Sequence, residues 1–247
     1  MSERLNRYLA RSGVASRRAA DDLIAAGAVR VNGRAVPATG TLVEPGVDEV
    51  TVKGHSVEAP RKHRYLVLNK PAGVVTTTRD PQGRRTVLEV VAGEAAGARL
   101  FPVGRLDAAT TGLLLLTDDG ALAHRLAHPR HKVAKEYVAV VSGLPGERDL
   151  RRLREGVKLE DGLTQPAQVE LLGAGGGLSR LRIVISEGRN RQVRRMLEAV
   201  GHPVRELERT AFGPVRLGRL RPGGVRRLRP PELSSLRHAA GLGEDER

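Results

Sequence analysis

Four consecutive leucines, at residues 113–116, constrain the fold of this chain more than any other feature. A loop rich in glycine and threonine precedes them, and a short apolar run bounded by turn residues predicts a buried strand. Asp107 lies in that loop, two residues after Arg105. A carboxylate fixed at the mouth of a rigid strand beside a cation can be presented to a substrate. A lone loop Asp more often caps local backbone N–H groups, so both interpretations stay open on these residues alone.

The balance of charge predicts an anionic partner. The 247 residues carry a formal net charge of +14, which favours a polymer such as nucleic acid. Base composition of the genome can favour arginine over lysine, but it does not explain the positive excess. The chain has no cysteine, which excludes disulfides, thiol nucleophiles and thiolate metal sites. Aromatic residues are only 2%, which disfavours a single-strand binder built on rows of stacked rings.

The hydropathy pattern predicts a cytoplasmic protein. No apolar segment approaches the length that a membrane-spanning helix needs. The first residues also lack the apolar core of a signal peptide.

The N-terminal 60 residues form a predicted domain of two helices and a hairpin. Leu5, Tyr8 and Leu9 follow helical spacing, and Ser16 can cap a second helix that stops at Gly27. Alternating residues around an Asn-Gly pair at 32–33 predict a β-hairpin, and residues 50–52 a further strand. Several arginines lie on or beside the helices, and we expect them to contact RNA rather than form only a solvated face: Arg4, Arg7, Arg11, Arg17 and Arg18.

A polar segment at about 54–64 is typical of a linker, and residues 65–240 then form a larger predicted domain. Strands occur in succession with helices interspersed, which predicts an α+β fold with a mixed, mostly antiparallel sheet flanked by helices. Besides the strand that begins at Tyr65, the predicted strands are 113–117, 134–141, 166–172, 178–186, 203–212 and 225–228. The predicted helices are 86–92, 119–127, 147–155, 190–200 and 230–239. Residues 241–247 resemble a flexible tail.

Two apparent motifs carry little weight. The glycines at 173–177 lack the strand–turn–helix setting of a dinucleotide site and predict a hairpin loop. His124, His128 and His131 have no carboxylate to complete a ligand set, and Pro129 should end the helix between them. We therefore expect exposed or phosphate-facing histidines and no metal site.

Two further segments accompany the Asp107 loop. Tyr137 lies within an apolar strand, where a tyrosine either fills the core or offers a flat surface for a base. The segment 186–197 leads into the predicted helix 190–200, which is amphipathic, with Asn190 as its cap and four arginines crowded around its first turns: Arg189, Arg191, Arg194 and Arg195. Cations at a helix N-terminus oppose the macrodipole, and such a local conflict often marks a functional site.

Taken together, these motifs resemble the RsuA/RluB-type ribosomal RNA pseudouridine synthases over nearly the whole chain. The first quarter is similar to the αL RNA-binding domain shared by a ribosomal small-subunit protein and several RNA enzymes. The resemblance implies isomerisation of uridine to pseudouridine in ribosomal RNA, without cofactor or metal. Residues 129–131 and 117–120 are closer to the small-subunit member of the family, whereas Asn190-Arg191 is closer to the members that act on large-subunit RNA. Both targets stay open, and 23S RNA is favoured over 16S RNA.

The resemblance also implies roles for individual residues. Asp107 would be the catalytic carboxylate, and Arg105 would enter the helix where the uridine is flipped out. Tyr137 would stack on the uracil and later act in removing the proton from C5, which makes it a second catalytic residue. Arg194 would pair with Asp107. The residues expected to contact RNA are Arg105, Arg4, Arg7, Arg17, Arg18, Asn32, Lys70, Arg189, Arg191 and Arg195.

The expected partner is ribosomal RNA, free or within a pre-ribosomal particle, bound by a monomer. The main alternative is a non-catalytic RNA-binding ribosome-assembly factor that kept the fold. An RNA methyltransferase is disfavoured because no glycine-rich turn occurs in a βαβ setting. A DNA-binding regulator is disfavoured because there is no convincing helix-turn-helix.

Overall fold

The computed structural model describes residues 2–36, 40–58, 63–95 and 97–242. Contacts divide the chain into two compact units. The first comprises Met1–Arg64 with Ala95–Arg99, and the second Tyr65–Glu94 with Leu100–Arg247. Within the described residues no helix is long and apolar enough to cross a membrane.

The first unit packs two helices against short strands. Its elements are β1 (Glu3–Arg4), α1 (Leu5–Arg11), α2 (Arg17–Ala25), β2 (Val29–Val31), β3 (Arg34–Ala35), β4 (Leu42–Val43), β5 (Val50–Val52) and β6 (His55–Ser56). The strands form a sheet in the order β3-β2-β5-β6 and a separate β1-β4 pair. Leu5, Leu9 and Ile24 from the helices meet Val29 and Val50 from the sheet in one apolar core. This core is what the helical and alternating patterns predict.

Local signals in this unit act as predicted. The Ser16 hydroxyl accepts a hydrogen bond from the backbone N–H of Ala19 at 3.2 Å, so it caps α2. Asn32 and Gly33 both adopt positive φ angles, 51° and 74°, and form the turn between β2 and β3. The first residues of the predicted linker form strand β6, which pairs with β5. The linker therefore begins later than predicted. Residues 59–62 of that linker are outside the described residues.

The second unit is built on a large sheet. Its strands are β7 (Tyr65–Lys70), β8 (Phe101–Pro102), β9 (Thr111–Thr117), β10 (Lys135–Ser142), β11 (Lys158–Leu159), β12 (Gly162–Leu163), β13 (Gln168–Gly175), β14 (Leu178–Ile185), β15 (Val204–Phe212), β16 (Val215–Arg216) and β17 (Val225–Arg227). Its helices are α3 (Val87–Val90), α4 (Ala92–Ala95), α5 (Gly120–Ala127), α6 (Glu147–Glu155), α7 (Gln192–Ala199) and α8 (Pro230–Ala239), with a 3-10 turn at Pro129–His131.

The sheet order is β13-β14-β10-β15-β9-β7-β17, with β16 paired to β15 and β8 to β9. Every pairing in this sheet is antiparallel except β15 with β9, which is parallel. This confirms the mixed, mostly antiparallel sheet. β9 contains the leucine run, and all four leucines are buried between β7 and β15. The strand therefore anchors the loop that carries Asp107 to the centre of the domain.

Several boundaries differ from the sequence predictions. The predicted helix 86–92 is two short helices, α3 and α4, separated by a turn. Asn190 does not cap α7, because Arg191 occupies the cap position in a left-handed conformation with φ 46°. In the glycine-rich segment, β13 continues to Gly175 and the turn is made by Gly176 and Gly177. α5 ends before Pro129, as predicted. Residues 243–247 of the predicted tail are outside the described residues.

Candidate active site

The loop before β9 is held rigidly. The Thr76 hydroxyl donates to the carbonyl of Leu106 at 2.8 Å, and the Leu106 N–H donates back to it at 3.3 Å. The Gly73 N–H donates to the carbonyl of Ala108 at 2.9 Å. These bonds on both sides of Asp107 fix its backbone, as a preorganised site requires.

The Asp107 side chain is half-buried and faces an open cleft. No described residue donates a hydrogen bond to its carboxylate. Its backbone carbonyl accepts from the N–H of Thr110 at 3.0 Å, which closes the turn. Among the described residues the carboxylate therefore caps no backbone N–H of the loop, and it stays accessible to a bound group.

Tyr137 lines the same cleft from β10. Alternate residues of this strand are buried, and Tyr137 faces the buried side with Lys135. Across the sheet it lies opposite Arg209 on β15 and Ile183 on β14. The sheet thus brings an aromatic ring to the cleft that Asp107 also lines.

Arg194 approaches the Asp107 loop but forms no ion pair with Asp107. Its Nη2 donates to the carbonyl of Ala109 at 3.2 Å and to the Thr110 hydroxyl at 3.4 Å. The predicted direct pair is therefore wrong in this structure, because the guanidinium binds the loop backbone beside the carboxylate. Burial lowers the pKa of Arg194, the charge of Arg191 lowers it further, and that of Asp107 opposes the shift.

Two of the predicted RNA-binding arginines are engaged inside the protein. Arg189 donates to the carbonyls of Asp161, Gly162 and Leu163 at 2.6 to 3.1 Å and contacts Glu187 at 3.1 Å. Arg195 pairs with Asp161 at 2.8 Å. Both arginines tie the start of α7 to the β11–β12 hairpin, which satisfies their charge locally. Arg105 and Arg191, in contrast, are exposed and line the cleft.

Lys70 is not a surface cation. Its side chain is 0% exposed, and its ammonium donates to the carbonyls of Pro71 and Ala108 at 3.0 and 3.2 Å. Burial lowers its pKa to about 8, against the opposing charge of Asp107. The expectation that Lys70 contacts RNA is therefore wrong, because this lysine braces the Asp107 loop from beneath.

The N-terminal arginines remain accessible. Arg4, Arg7, Arg17 and Arg18 are all exposed, although Arg7 approaches Glu3 at 3.4 Å. Asp21 and Asp22 stand one turn after Arg17 and Arg18, but Asp21 accepts from Asn6 at 2.9 Å instead. The amide of Asn32 donates to Asp48 at 2.8 Å and accepts from the N–H of Glu49 at 2.9 Å. Asn32 therefore fixes its turn, while its residue stays exposed.

Two cations that were not predicted from the sequence as site residues line the cleft. Lys135 is 8% exposed and Arg209 is 2% exposed, and both line it. The alternation of residues along each strand could have identified them. Lys135 is on the same face of its strand as Tyr137, and Arg209 is on the same face as the apolar residues Leu207 and Ala211. A charged residue on the apolar phase of a strand needs a partner or a function.

The cleft suits one small planar group. Its cavity volume is about 140 Å³, below the roughly 300–1,000 Å³ of pockets for larger ligands. In the described part of the chain, no three His, Cys, Asp or Glu side chains come together as a metal site. The His128 ring instead accepts from the N–H of Arg130 at 3.2 Å. The arrangement of one carboxylate, one aromatic ring and several cations fits acid–base or nucleophilic work on a nucleotide.

Comparison with known proteins agrees with this architecture. The model of the RNA pseudouridylate synthase family matches residues 64–199, and that of the S4 domain matches residues 3–48. An uncharacterized RNA pseudouridine synthase of Aquifex aeolicus is 45% identical over 98% of this chain and 96% of that protein. The ribosomal large subunit pseudouridine synthase B of Bacillus subtilis is 43% identical over 98% and 99%. A crystal structure of a pseudouridylate synthase superposes with a TM-score of 0.67 at 32% identity, over 94% of this chain and 99% of that one.

The family matches place an RNA-binding S4 domain and an RNA pseudouridylate synthase domain in one chain, which is the composition of an RNA-modifying enzyme. The chain belongs to the RNA pseudouridylate synthase family, and its substrate is RNA. The fold, the family and the enzyme class expected from the sequence are thereby confirmed.

Proposed function

We propose that this enzyme isomerises a specific uridine of large-subunit (23S) ribosomal RNA to pseudouridine, with Asp107 as the catalytic carboxylate. One observation supports this most strongly. The Asp107 carboxylate has no donor among the described residues, yet a rigid loop holds it in a cleft that Tyr137 also lines. The name of the Bacillus subtilis relative supports the large subunit as the source of the RNA.

The reaction breaks the N1–C1′ bond, turns the uracil and joins C5 to C1′. The uridine must first leave its stack, which costs a few kcal/mol. Exposed Arg105 is suited to fill the gap, and the Tyr137 ring to stack on the extruded uracil. Asp107 acts either as a nucleophile at C1′ or as a base at C2′. Arg194 would serve this step by holding the Asp107 loop through Ala109 and Thr110.

The N-terminal domain would supply affinity. Its exposed arginines favour phosphate contacts, which position an RNA without reading its sequence. The proposed division is an RNA-binding domain at 1–60, a catalytic domain at 65–240 and a tail at 241–247. We further propose that a monomer acts in the cytoplasm, on free RNA or on a pre-ribosomal particle.

Tritium release tests this function. Unmodified large- and small-subunit RNAs carrying 5-tritiated uridine would be incubated with wild type and with Asp107→Asn. We expect release from large-subunit RNA by wild type alone, while both proteins bind the RNA with similar affinity. Release by Asp107→Asn at a near wild-type rate would contradict the role of Asp107. Release only from small-subunit RNA would contradict the proposed substrate. No release from either RNA or from precursor particles would favour the assembly-factor alternative.

A further inference from the structure

Two cations with little solvent exposure, Lys135 and Arg209, line the cleft and leave hydrogen-bonding groups unused. The Lys135 ammonium makes no hydrogen bond or ion pair with any described residue, although its side chain is 8% exposed. Nη2 of Arg209 is buried and has no hydrogen-bond partner in the described structure. Unpaired buried charge is costly, so its presence in a functional cleft points to an anion that binds there.

The pairing of β10 with β15 places both cations next to the ring of Phe212. Lys135 lies opposite Phe212, and Tyr137 opposite Arg209, because the register between β10 and β15 skips Thr210. A bulge of this kind re-aims side chains and is common beside active sites. Lys135 Nζ lies 5.7 Å from the centre of the Phe212 ring, and the Arg209 guanidinium carbon lies 5.3 Å from it. The two charges thus flank one ring at the base of the cleft.

The nearby carboxylates do not neutralise this pair. Glu187 is the acidic group that raises the pKa of Lys135, but it already contacts Arg189 at 3.1 Å and accepts from Gln192 at 2.6 Å and from the N–H of Gln165 at 2.9 Å. Asp107 lines the same cleft but is not among the charged groups that shift the pKa of Lys135. Among the described residues, Arg209 donates only through Nε, to the carbonyl of Leu113 at 2.7 Å.

We propose that Lys135 and Arg209 stabilise the negative charge that uracil carries after its bond to ribose is broken. This inference rests on the pseudouridine synthase activity proposed above. Whether Asp107 bonds to C1′ or takes the C2′ proton, the electron pair of the N1–C1′ bond leaves with N1. The detached uracil is then an anion until C5 uses an electron pair to bond to C1′. That bond either displaces Asp107 from C1′ or is accompanied by return of the proton to C2′, and the C5 proton is finally lost while N1 is protonated. Fixed cations that meet developing charge in a water-poor site commonly contribute 10²–10³ in rate.

Neutral and charge-conserving variants test this role. In single-turnover reactions at saturating enzyme, Lys135→Met should slow isomerisation about 100-fold with RNA affinity within about twofold, and Lys135→Arg should recover at least about tenfold of that loss. Lys158 is exposed on β11, and Lys158→Met is the matched control that removes the same charge from the surface. A near wild-type rate for Lys135→Met would overturn the proposal.

A substituted base separates charge stabilisation from a structural role. Fluorine at C5 withdraws electrons and stabilises the uracil anion by itself. Replacing the target uridine with 5-fluorouridine should therefore shrink the penalty of Lys135→Met to less than about tenfold, measured as loss of the starting nucleoside by chromatography of digested RNA. Equal penalties for both bases would overturn the proposal, because a merely structural lysine is indifferent to the substituent.

A direct binding measurement distinguishes this proposal from the proposed function. The ring of 5-nitrouracil is anionic near neutral pH, whereas uracil is neutral. Wild type should bind 5-nitrouracil at least about tenfold more tightly than Lys135→Met does, while the two proteins bind uracil equally. If wild type and Lys135→Met bound 5-nitrouracil equally well, the proposed role of Lys135 would be wrong even in an active enzyme. Failure of wild type to isomerise any ribosomal uridine, with its preference for 5-nitrouracil retained, would contradict the function proposed above and leave only an anion site in the cleft.

Discussion

Gly112 lies directly against the backbone of Arg209. A Cβ atom added at Gly112 would overlap the carbonyl oxygen of Arg209 and come within 2.7 Å of its nitrogen. These two residues are partners where β9 leaves the Asp107 loop, in the one parallel pairing among the described strands of the large sheet. Their close approach joins the strand that follows Asp107 to the strand that carries Arg209.

Gly112→Ala should therefore damage both stability and activity. Alanine would be strained at the φ of 99° and would push β9 away from β15. We expect the free energy of unfolding to fall by about 2–4 kcal/mol in urea titrations. Gly173→Ala is the control, because that glycine has no neighbour within 4 Å and no positive φ. Similar effects of the two substitutions would contradict the argument.

Arg194→Met should slow chemistry without weakening RNA binding. This arginine holds the carbonyl of Ala109 and the hydroxyl of Thr110, two and three residues after Asp107. Releasing the loop should lower the single-turnover rate about 100-fold, since a displacement of about 1 Å has effects of that size. The RNA dissociation constant should stay within about twofold of wild type.

The adjacent Arg195 supplies the control for this prediction. It pairs with Asp161 on the far side of α7, partly exposed to solvent. Arg195→Met should lower the free energy of unfolding by at most about 1 kcal/mol and leave the rate nearly unchanged. Equal losses of rate in the two variants would mean that the arginines act as a general basic surface.

The different contacts of Arg194 and Arg195 show what the sequence pattern could not predict. The strands, the leucine run and the Asp107 loop follow from local periodicity and turn residues. Which of four nearby arginines reaches the loop depends on the helix phase, which the left-handed Arg191 resets. Lys70 precedes a proline and resembles a turn residue, yet the sheet buries it under the loop. Such outcomes depend on pairing between distant strands, which no single segment encodes.

The salt dependence of RNA binding should reveal whether the N-terminal arginines contact phosphates. Arg17 and Arg18 are exposed at the start of α2. If both contact phosphates, Arg17→Gln with Arg18→Gln should reduce the slope of log K against log salt by about 1–2. Arg148→Gln with Arg151→Gln on α6 removes equal charge from another exposed helix and should change the slope less. If both double variants changed the slope equally, the N-terminal arginines would have no special role in RNA binding.

The charge of Lys135 should weaken folding at neutral pH. Burial lowers its pKa to about 8, assisted by the charge of Arg209 and opposed by Glu187, and other charged groups lining the cleft are Arg105, Asp107, Arg189 and Arg191. The unfolded chain binds this proton more tightly, with a pKa near 10.4. The native state therefore carries a penalty that is complete below pH 8 and disappears as the pH rises toward 10.4.

Lys135→Met should consequently be more stable than wild type at pH 7, and its advantage should shrink steadily between pH 8 and pH 10. Urea unfolding at pH 7, 8, 9 and 10 measures this difference, and Lys158→Met should show no comparable trend because that lysine is exposed. A constant difference, or a less stable Lys135→Met at pH 7, would show that the ammonium is satisfied within the protein. A variant that gains stability while losing turnover would show that the fold retains this charge for the reaction, as strained active sites commonly do.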